Sequence, residues 1–73
     1  MFRATVHPLL GGMTLRDTQI RELTGCNVIA INADGLASLN PDPSVTLRTG
    51  DELILIGTSE AEKAFIRRYP KSA

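Results

Sequence analysis

Two runs of consecutive aliphatic residues, Val28–Ile31 and Leu53–Ile56, constrain the fold of this chain more than any other feature. Side chains along a β-strand alternate between the two faces of its sheet, so an uninterrupted aliphatic strand is apolar on both faces. Both runs are short and are bounded by turn residues, which favours strands over helices. The sequence therefore predicts a sheet that is covered on both sides.

Turn and breaker residues divide the rest of the chain into a β-α-β-β-β-α order. The predicted strands are Phe2–His7, Asn27–Ala33, Leu36–Leu39 and Glu52–Gly57, with a short extended piece at Val45–Leu47. The predicted helices are Leu15–Thr24 and a last helix from Ser59 to about Arg68. The fold class is α/β (α+β), a small domain with a mixed sheet, and it occupies residues 1–73 as one unit.

Capping and turn residues support these boundaries. Thr14 and Ser59 are the predicted N-caps of the two helices, because each is followed three residues later by an acidic residue. Gly25 is typical of the left-handed residue that ends a helix. Asp34-Gly35 is typical of a two-residue hairpin turn.

The number of helices bears on assembly. Two short helices cover one face of a small sheet, so the second apolar face predicts a homodimer or a neighbouring domain. The alternative is a monomer whose two helices flank the two faces of the sheet.

Inside the first predicted helix, Gln19 and Arg16 are polar residues that fall within the apolar arc defined by Leu15, Ile20 and Leu23.

Charge and apolar content exclude several kinds of partner. Eight basic residues balance eight acidic ones, and a nucleic-acid binder needs an excess of Lys and Arg to displace counterions, so no nucleic-acid partner is expected. The longest aliphatic run is too short to span a bilayer. Cys26 is the single cysteine, which precludes an internal disulfide and fits a cytoplasmic location.

The sequence contains no arrangement typical of catalysis. Metal sites and nucleophile–base pairs need converging His, Cys or carboxylate groups, and this chain has one His and one Cys. Asp34, Asp42 and Asp51 all fall in turns, where Asp is common because it hydrogen-bonds the backbone. We therefore expect no enzyme activity, no metal and no cofactor, and a function based on binding.

The order of several short motifs resembles the TrkA C-terminal domain family, also called RCK C-terminal domains. The first half of the resemblance is Gly12-Met13-Thr14-Leu15, Ile20-Arg21, Thr24-Gly25 and Asn27-Val28-Ile29-Ala30-Ile31. The second half is Asn40-Pro41-Asp42-Pro43, Leu47, Gly50-Asp51-Glu52-Leu53, Ile56-Gly57-Thr58 and Phe65. It covers nearly the whole chain.

This resemblance implies a cytoplasmic regulatory domain of a potassium channel, a potassium uptake system or another cation transport protein. Such domains pair as dimers and are joined to a membrane subunit and a nucleotide-binding domain. In several members a small ligand, recurrently cyclic di-AMP, binds at the dimer interface.

The resemblance also implies particular ligand-binding residues. The family segment Asp-Ile-Arg corresponds to Gln19, Ile20 and Arg21, its Asn-Ile pair to Asn27 and Val28, and its later proline to Pro43. Gln19 stands where the family has Asp. It can still form hydrogen bonds, but it lacks the negative charge. Arg21 and Asn27 suit phosphate or base recognition, and the three apolar residues suit packing on adenine.

Each of these residues also has an ordinary structural explanation. Arg21 suits an exposed helix position, Asn27 the start of a strand, and Pro43 a rigid turn. The alternative function is accordingly a purely structural dimerisation module that binds no ligand.

Overall fold

The computed structural model describes residues 1–70 of the chain. Its elements are β1 (Phe2–Thr5), α1 (Leu15–Thr18), α2 (Ile20–Thr24), β2 (Asn27–Ala33), β3 (Leu36–Leu39), β4 (Glu52–Ile56) and α3 (Ser59–Arg68). The predicted order of strands and helices is confirmed, except that the first predicted helix is divided in two. The first and last predicted strands are slightly shorter than predicted, since β1 ends two residues early and β4 one residue early.

The four strands form one sheet in the order β1-β4-β2-β3, and all three pairings are antiparallel. The expectation of a mixed sheet is therefore wrong. β1 and β2 run in the same direction, but β4 lies between them and pairs antiparallel with each. The α+β class, with helices packed on an antiparallel sheet, is confirmed.

The hairpin between β2 and β3 turns at Asp34 and Gly35, as predicted. Both residues have positive φ, 51° and 78°, which is the backbone that a tight type I′ hairpin requires. Ala33 faces Leu36 across this turn. β3 is last in the strand order, so it forms one edge of the sheet, and its side chains are exposed.

The prediction of one continuous helix over Leu15–Thr24 is wrong, because the chain breaks at Gln19. Gln19 adopts the left-handed conformation, with φ 52° and ψ 33°, and separates α1 from α2. Thr18 supports the break: its hydroxyl donates to Leu15 O at 2.6 Å, and its Oγ1 accepts the Ile20 N–H at 3.3 Å. Side-chain bonds of this kind replace helical ones, and no hydrophobic pattern reveals them.

The other helix ends follow the sequence with one correction. Thr14 caps α1 as predicted, since its Oγ1 accepts the Asp17 N–H at 3.2 Å. Gly25 ends α2 with a φ of 85°. The cap of α3, however, is Thr58 rather than Ser59, because the extended Thr58 accepts the Ala61 N–H on its Oγ1 at 3.1 Å.

The hydrophobic core lies on one face of the sheet, beneath α2 and α3. Ile20, Ala61 and Phe65 from these helices join Leu53 and Leu55 of the central strand β4. By the strand registers, the opposite face carries Leu39, Ile54 and Ile56, of which Leu39 is 79% and Ile56 47% exposed. One face is thus packed and the other keeps an apolar surface open, which we call the open face.

Candidate ligand-binding groove

A groove of about 450 Å³ lies between the two short helices, the start of β2 and the loop after β3. Its lining residues are Leu15, Arg16, Ile20, Arg21, Glu22, Cys26, Asn27, Val28, Asn40, Pro41 and Pro43. We call this the α2–β2 groove. Its volume lies within the range typical of small-molecule sites.

Five of the six residues predicted to bind a ligand line this groove. Ile20 and Arg21 are the first two residues of α2, and Asn27 and Val28 are the first two of β2. Ile20 is buried and Val28 half-buried, while Arg21 and Asn27 are exposed. Pro43 comes from the loop opposite. The groove therefore joins an apolar floor to a guanidinium and an amide at its rim.

Backbone hydrogen bonds fix the loop that carries Pro43. The Arg16 N–H donates to Pro43 O at 2.9 Å, and the Leu15 N–H donates to Val45 O at 2.9 Å. At the loop's other end, the Asn40 N–H donates to Ile29 O at 2.9 Å. The loop is thus tied to both α1 and β2, so its distance from Ile20 and Val28 is set by the fold.

Gln19, the sixth predicted residue, is not among the residues that line the groove. It is exposed, and its backbone forms the C-cap of α1 and the N-cap of α2. Its N–H donates to Arg16 O at 3.2 Å, and its carbonyl accepts the Leu23 N–H at 2.8 Å. The apolar arc drawn through Leu15, Ile20 and Leu23 required a continuous helix, so the break removes Gln19 from that arc.

Six further lining residues were not predicted as ligand contacts: Leu15, Arg16, Glu22, Cys26, Asn40 and Pro41. Arg16 stood out in the sequence only as a polar residue within an apolar arc, and Asn40 and Pro41 only as turn residues. For Asn40 and Pro41, proximity to Pro43 in the sequence was the available signal, since loop residues near a ligand contact often share its site. Arg16 matters most, because it gives the groove a second cation.

The groove carries more positive than negative charge. Arg16 and Arg21 line it together with one acid, Glu22. Neither arginine forms an ion pair with any other residue in the described range 1–70. Two guanidiniums beside apolar residues suit a ligand that combines flat rings with negatively charged groups such as phosphates.

Asp42 lies in the same loop and stays ionised. The Ser44 hydroxyl and then the Ser44 N–H, at 2.7 and 2.8 Å from Asp42 Oδ1, hold the pKa of this carboxyl below its ordinary value, and nearby Arg16 adds to the effect. These bonds brace the turn that leads from Pro43 to Val45. The same pairing accounts for Asp42 as a turn residue, as predicted.

The other two turn acids also have structural partners. Arg48 Nη2 lies 3.1 Å from Asp34 Oδ2, and Arg48 Nε lies 3.7 Å from Asp51 Oδ2. Among residues 1–70, no three His, Cys, Asp or Glu side chains are grouped as a metal site would require. Arg48 thus ties the hairpin turn to the turn before β4.

A second and larger groove, of about 650 Å³, lies between β1 and α3. It contains the aromatic residues Phe2, Phe65 and Tyr69 together with His7. The ring of Phe65 is 5.7 Å from that of Phe2 and 5.1 Å from that of Tyr69. None of the six predicted binding residues lines this groove, and its aromatic rings mainly extend the core.

Many solved structures share this fold, and three of them are informative for this chain. The GsuK channel is 43% identical with a TM-score of 0.85 over 90% of this chain, but the chain spans only 12% of that channel protein. The RCK C domain of the potassium transport protein KtrA, solved in complex with cyclic di-AMP, is 28% identical with a TM-score of 0.86, covering 92% of this chain and 79% of that one.

The third structure is the RCK_C domain dimer of S. agalactiae BusR in complex with cyclic di-AMP. It is 17% identical with a TM-score of 0.83, covering 93% of this chain and 86% of that one, and at this identity it shows the fold alone. BusR has also been solved with promoter DNA, in a chain of which this one covers 34%. The expectation of no nucleic-acid partner for this chain rests on its charge balance and stays a prediction.

One further property concerns membranes. Within residues 1–70 no helix has both the length and the apolar character needed to cross a bilayer.

The sequence itself matches the TrkA-C domain family over residues 1–69, which is nearly its entire length. That range includes every element from β1 to α3 and every residue of the α2–β2 groove. The resemblance seen in the sequence motifs is confirmed, and the chain belongs to the TrkA-C domain family.

Proposed function

We propose that this chain is a regulatory, ligand-binding and dimerisation domain of a potassium or other cation transport protein. One observation carries the proposal: α2, β2 and the loop after β3 bring five predicted residues into a single groove, namely Ile20, Arg21, Asn27, Val28 and Pro43. The ligand proposed for this groove is cyclic di-AMP. Its flat adenine rings match the apolar floor, and its phosphates match Arg21.

The relatives support the same ligand class. KtrA, 28% identical, is a potassium transport protein whose RCK C domain has been solved with cyclic di-AMP. The GsuK channel, 43% identical to this chain over the matched part, has been solved bound to NAD, another molecule with adenine and phosphates. We favour cyclic di-AMP over NAD because this chain covers 79% of the KtrA domain solved with cyclic di-AMP, but only 12% of the GsuK chain solved with NAD.

The proposed regulation depends on a homodimer. Burial of the open face by a second copy would remove Leu39 and Ile56 from water, which favours association. A ligand that binds the paired form more tightly than the separated form stabilises that pairing, and this bias is passed to the attached protein. The attached parts are a membrane channel or transporter subunit and a nucleotide-binding domain, on the cytoplasmic side.

Titration calorimetry with cyclic di-AMP tests the ligand. Arg21→Ala is expected to weaken binding by about 10- to 100-fold, because a charge-assisted hydrogen bond contributes roughly 1.5–3 kcal/mol. Arg67→Ala, an exposed arginine on α3 outside the groove, is the matched control and is expected to bind like the original protein. NAD is titrated in parallel as the second nucleotide.

The outcomes separate the possible ligands. Equal affinities for the two arginine variants would place the ligand elsewhere and contradict the proposed site. Binding of NAD without binding of cyclic di-AMP would change the ligand while keeping the groove. Flat titrations from a folded dimer would eliminate the ligand part of the proposal.

A purely structural dimerisation module is the second candidate, favoured by the exposed leucine and isoleucine of the open face. Leu39→Asp is expected to raise the dimer dissociation constant at least about tenfold, because a carboxylate would be buried against an apolar surface. Leu9→Asp is the matched control, since Leu9 is also exposed but lies in the loop after β1. Sedimentation equilibrium measures both, and an unchanged dimer in Leu39→Asp would exclude the open face as the interface.

A further inference from the structure

The break at Gln19 is what allows both short helices to contribute to one groove. α1 contributes Leu15 and Arg16, and α2 contributes Ile20 and Arg21. On an uninterrupted α-helix these four positions would spread over roughly 240° of its circumference, since successive residues turn by about 100°. An arc that wide does not face a single groove. The observed convergence therefore depends on the change of direction between α1 and α2.

Gln19 produces that change through its backbone. Its φ of 52° and ψ of 33° are left-handed, and its N–H and carbonyl bond to Arg16 and Leu23 on either side of the break. Its side chain makes no hydrogen bond with any other residue of the described range 1–70. The left-handed conformation disfavours residues with a Cβ, and it disfavours β-branched residues most.

We propose that Gln19 is a positioning residue, whose left-handed backbone shapes the α2–β2 groove while its side chain contacts no ligand. The proposal rests on the proposed function for its affinity measurement, and it replaces the ligand-contact role that the family resemblance implies for this position. It also gives a conformational reason for an Asp at this position, because Asp adopts the left-handed region several-fold more often than most residues.

Three substitutions at one position test the proposal. Gln19→Gly removes the whole side chain and favours the left-handed backbone, so its cyclic di-AMP affinity is expected to stay within about twofold of the original. Gln19→Asn is expected to behave likewise. Gln19→Val strains the break, and it is expected to weaken binding at least about tenfold and to lower the melting temperature by roughly 4–8 °C.

Lys63→Gly is the matched control for stability. Lys63 is exposed in the right-handed helix α3, away from the groove, so glycine there is expected to lower the melting temperature by several degrees without changing affinity. This control separates loss of stability from loss of groove shape. Circular dichroism confirms that each variant is folded before its affinity is measured.

A measurement without ligand keeps this proposal distinguishable from the proposed function. In ¹⁵N-correlation spectra, Gln19→Val is expected to displace the signals of Arg16, Arg21 and Asn40, whereas Gln19→Gly leaves them in place. If the original protein binds no cyclic di-AMP, the proposed function fails while this comparison still decides the role of Gln19. A folded Gln19→Gly variant that loses affinity, or a Gln19→Val variant with undisturbed groove signals, would overturn the proposal.

Discussion

Phe65→Ala is expected to lower the free energy of unfolding by about 3–5 kcal/mol, the largest effect of any single substitution considered. Phe65 is 2% exposed and is the largest side chain that α3 contributes to the core. Its ring packs edge-on against Phe2 of β1 and lies close to Tyr69. Truncation would therefore leave a cavity between the helix and the sheet and would remove two aromatic contacts.

The size of the chain makes this loss severe. At typical per-residue values a chain of 73 residues has about 4–11 kcal/mol of stability in total, so Phe65→Ala would consume much of it. Urea unfolding at fixed protein concentration measures the effect, since a dimer's stability depends on concentration. Ile66→Ala, next along α3 and half exposed, is the control, with an expected loss below about 1 kcal/mol. Equal losses would contradict the assigned core.

Leu47→Ala is expected to lower the free energy of unfolding by about 2–5 kcal/mol and, in addition, to weaken ligand binding. Leu47 is 1% exposed although it belongs to no regular strand. Its N–H donates to Met13 O, and its carbonyl accepts the Gly12 N–H, each at 2.8 Å. These backbone bonds remain in the variant, but the Leu47 side chain packs in the hydrophobic core and anchors the segment that runs from Pro43 past the start of α1. Truncating it loosens this anchor and frees one wall of the groove.

Val45→Ala, two residues earlier, is the matched control. Val45 is 39% exposed, and its carbonyl bond to the Leu15 N–H does not depend on the side chain. We expect Val45→Ala to lower the free energy of unfolding by less than about 1 kcal/mol and to leave the affinity for cyclic di-AMP unchanged. Urea unfolding gives the stability and calorimetry the affinity. A Leu47→Ala variant with reduced stability but full affinity would show that the loop is held in place without this anchor.

Local signals in the sequence predicted most of the fold. Strand positions followed from aliphatic runs, the hairpin from Asp34-Gly35, and the end of α2 from Gly25. The sheet's antiparallel order could not be predicted, because the insertion of β4 between β1 and β2 is a long-range pairing that no local pattern encodes. The division of the first helix was also hidden, since Gln19 is a good helix former and hydroxyl bonds from Thr18 stabilise the break.

The candidate groove was predicted only in part. Its residues from α2 and β2 came from a family resemblance, whereas their convergence with Pro43 depends on the hydrogen bonds that tie the loop to α1 and β2. Arg16 could not be identified as a groove residue because its direction is set by the break at Gln19. The sequence indicated which types of side chain would bind a ligand, and the backbone geometry determines which of them line the groove.

The burial of Cys26 has a practical consequence for following this domain in solution. The chain's single thiol is 0% exposed, although its residue borders the groove. A thiol reagent can label it only in molecules that have opened, so the labelling rate measures how often the region between α2 and β2 opens. A ligand that binds the closed form slows the labelling in proportion to its occupancy. Regulation of this domain can therefore be followed through its native thiol, without an engineered labelling site.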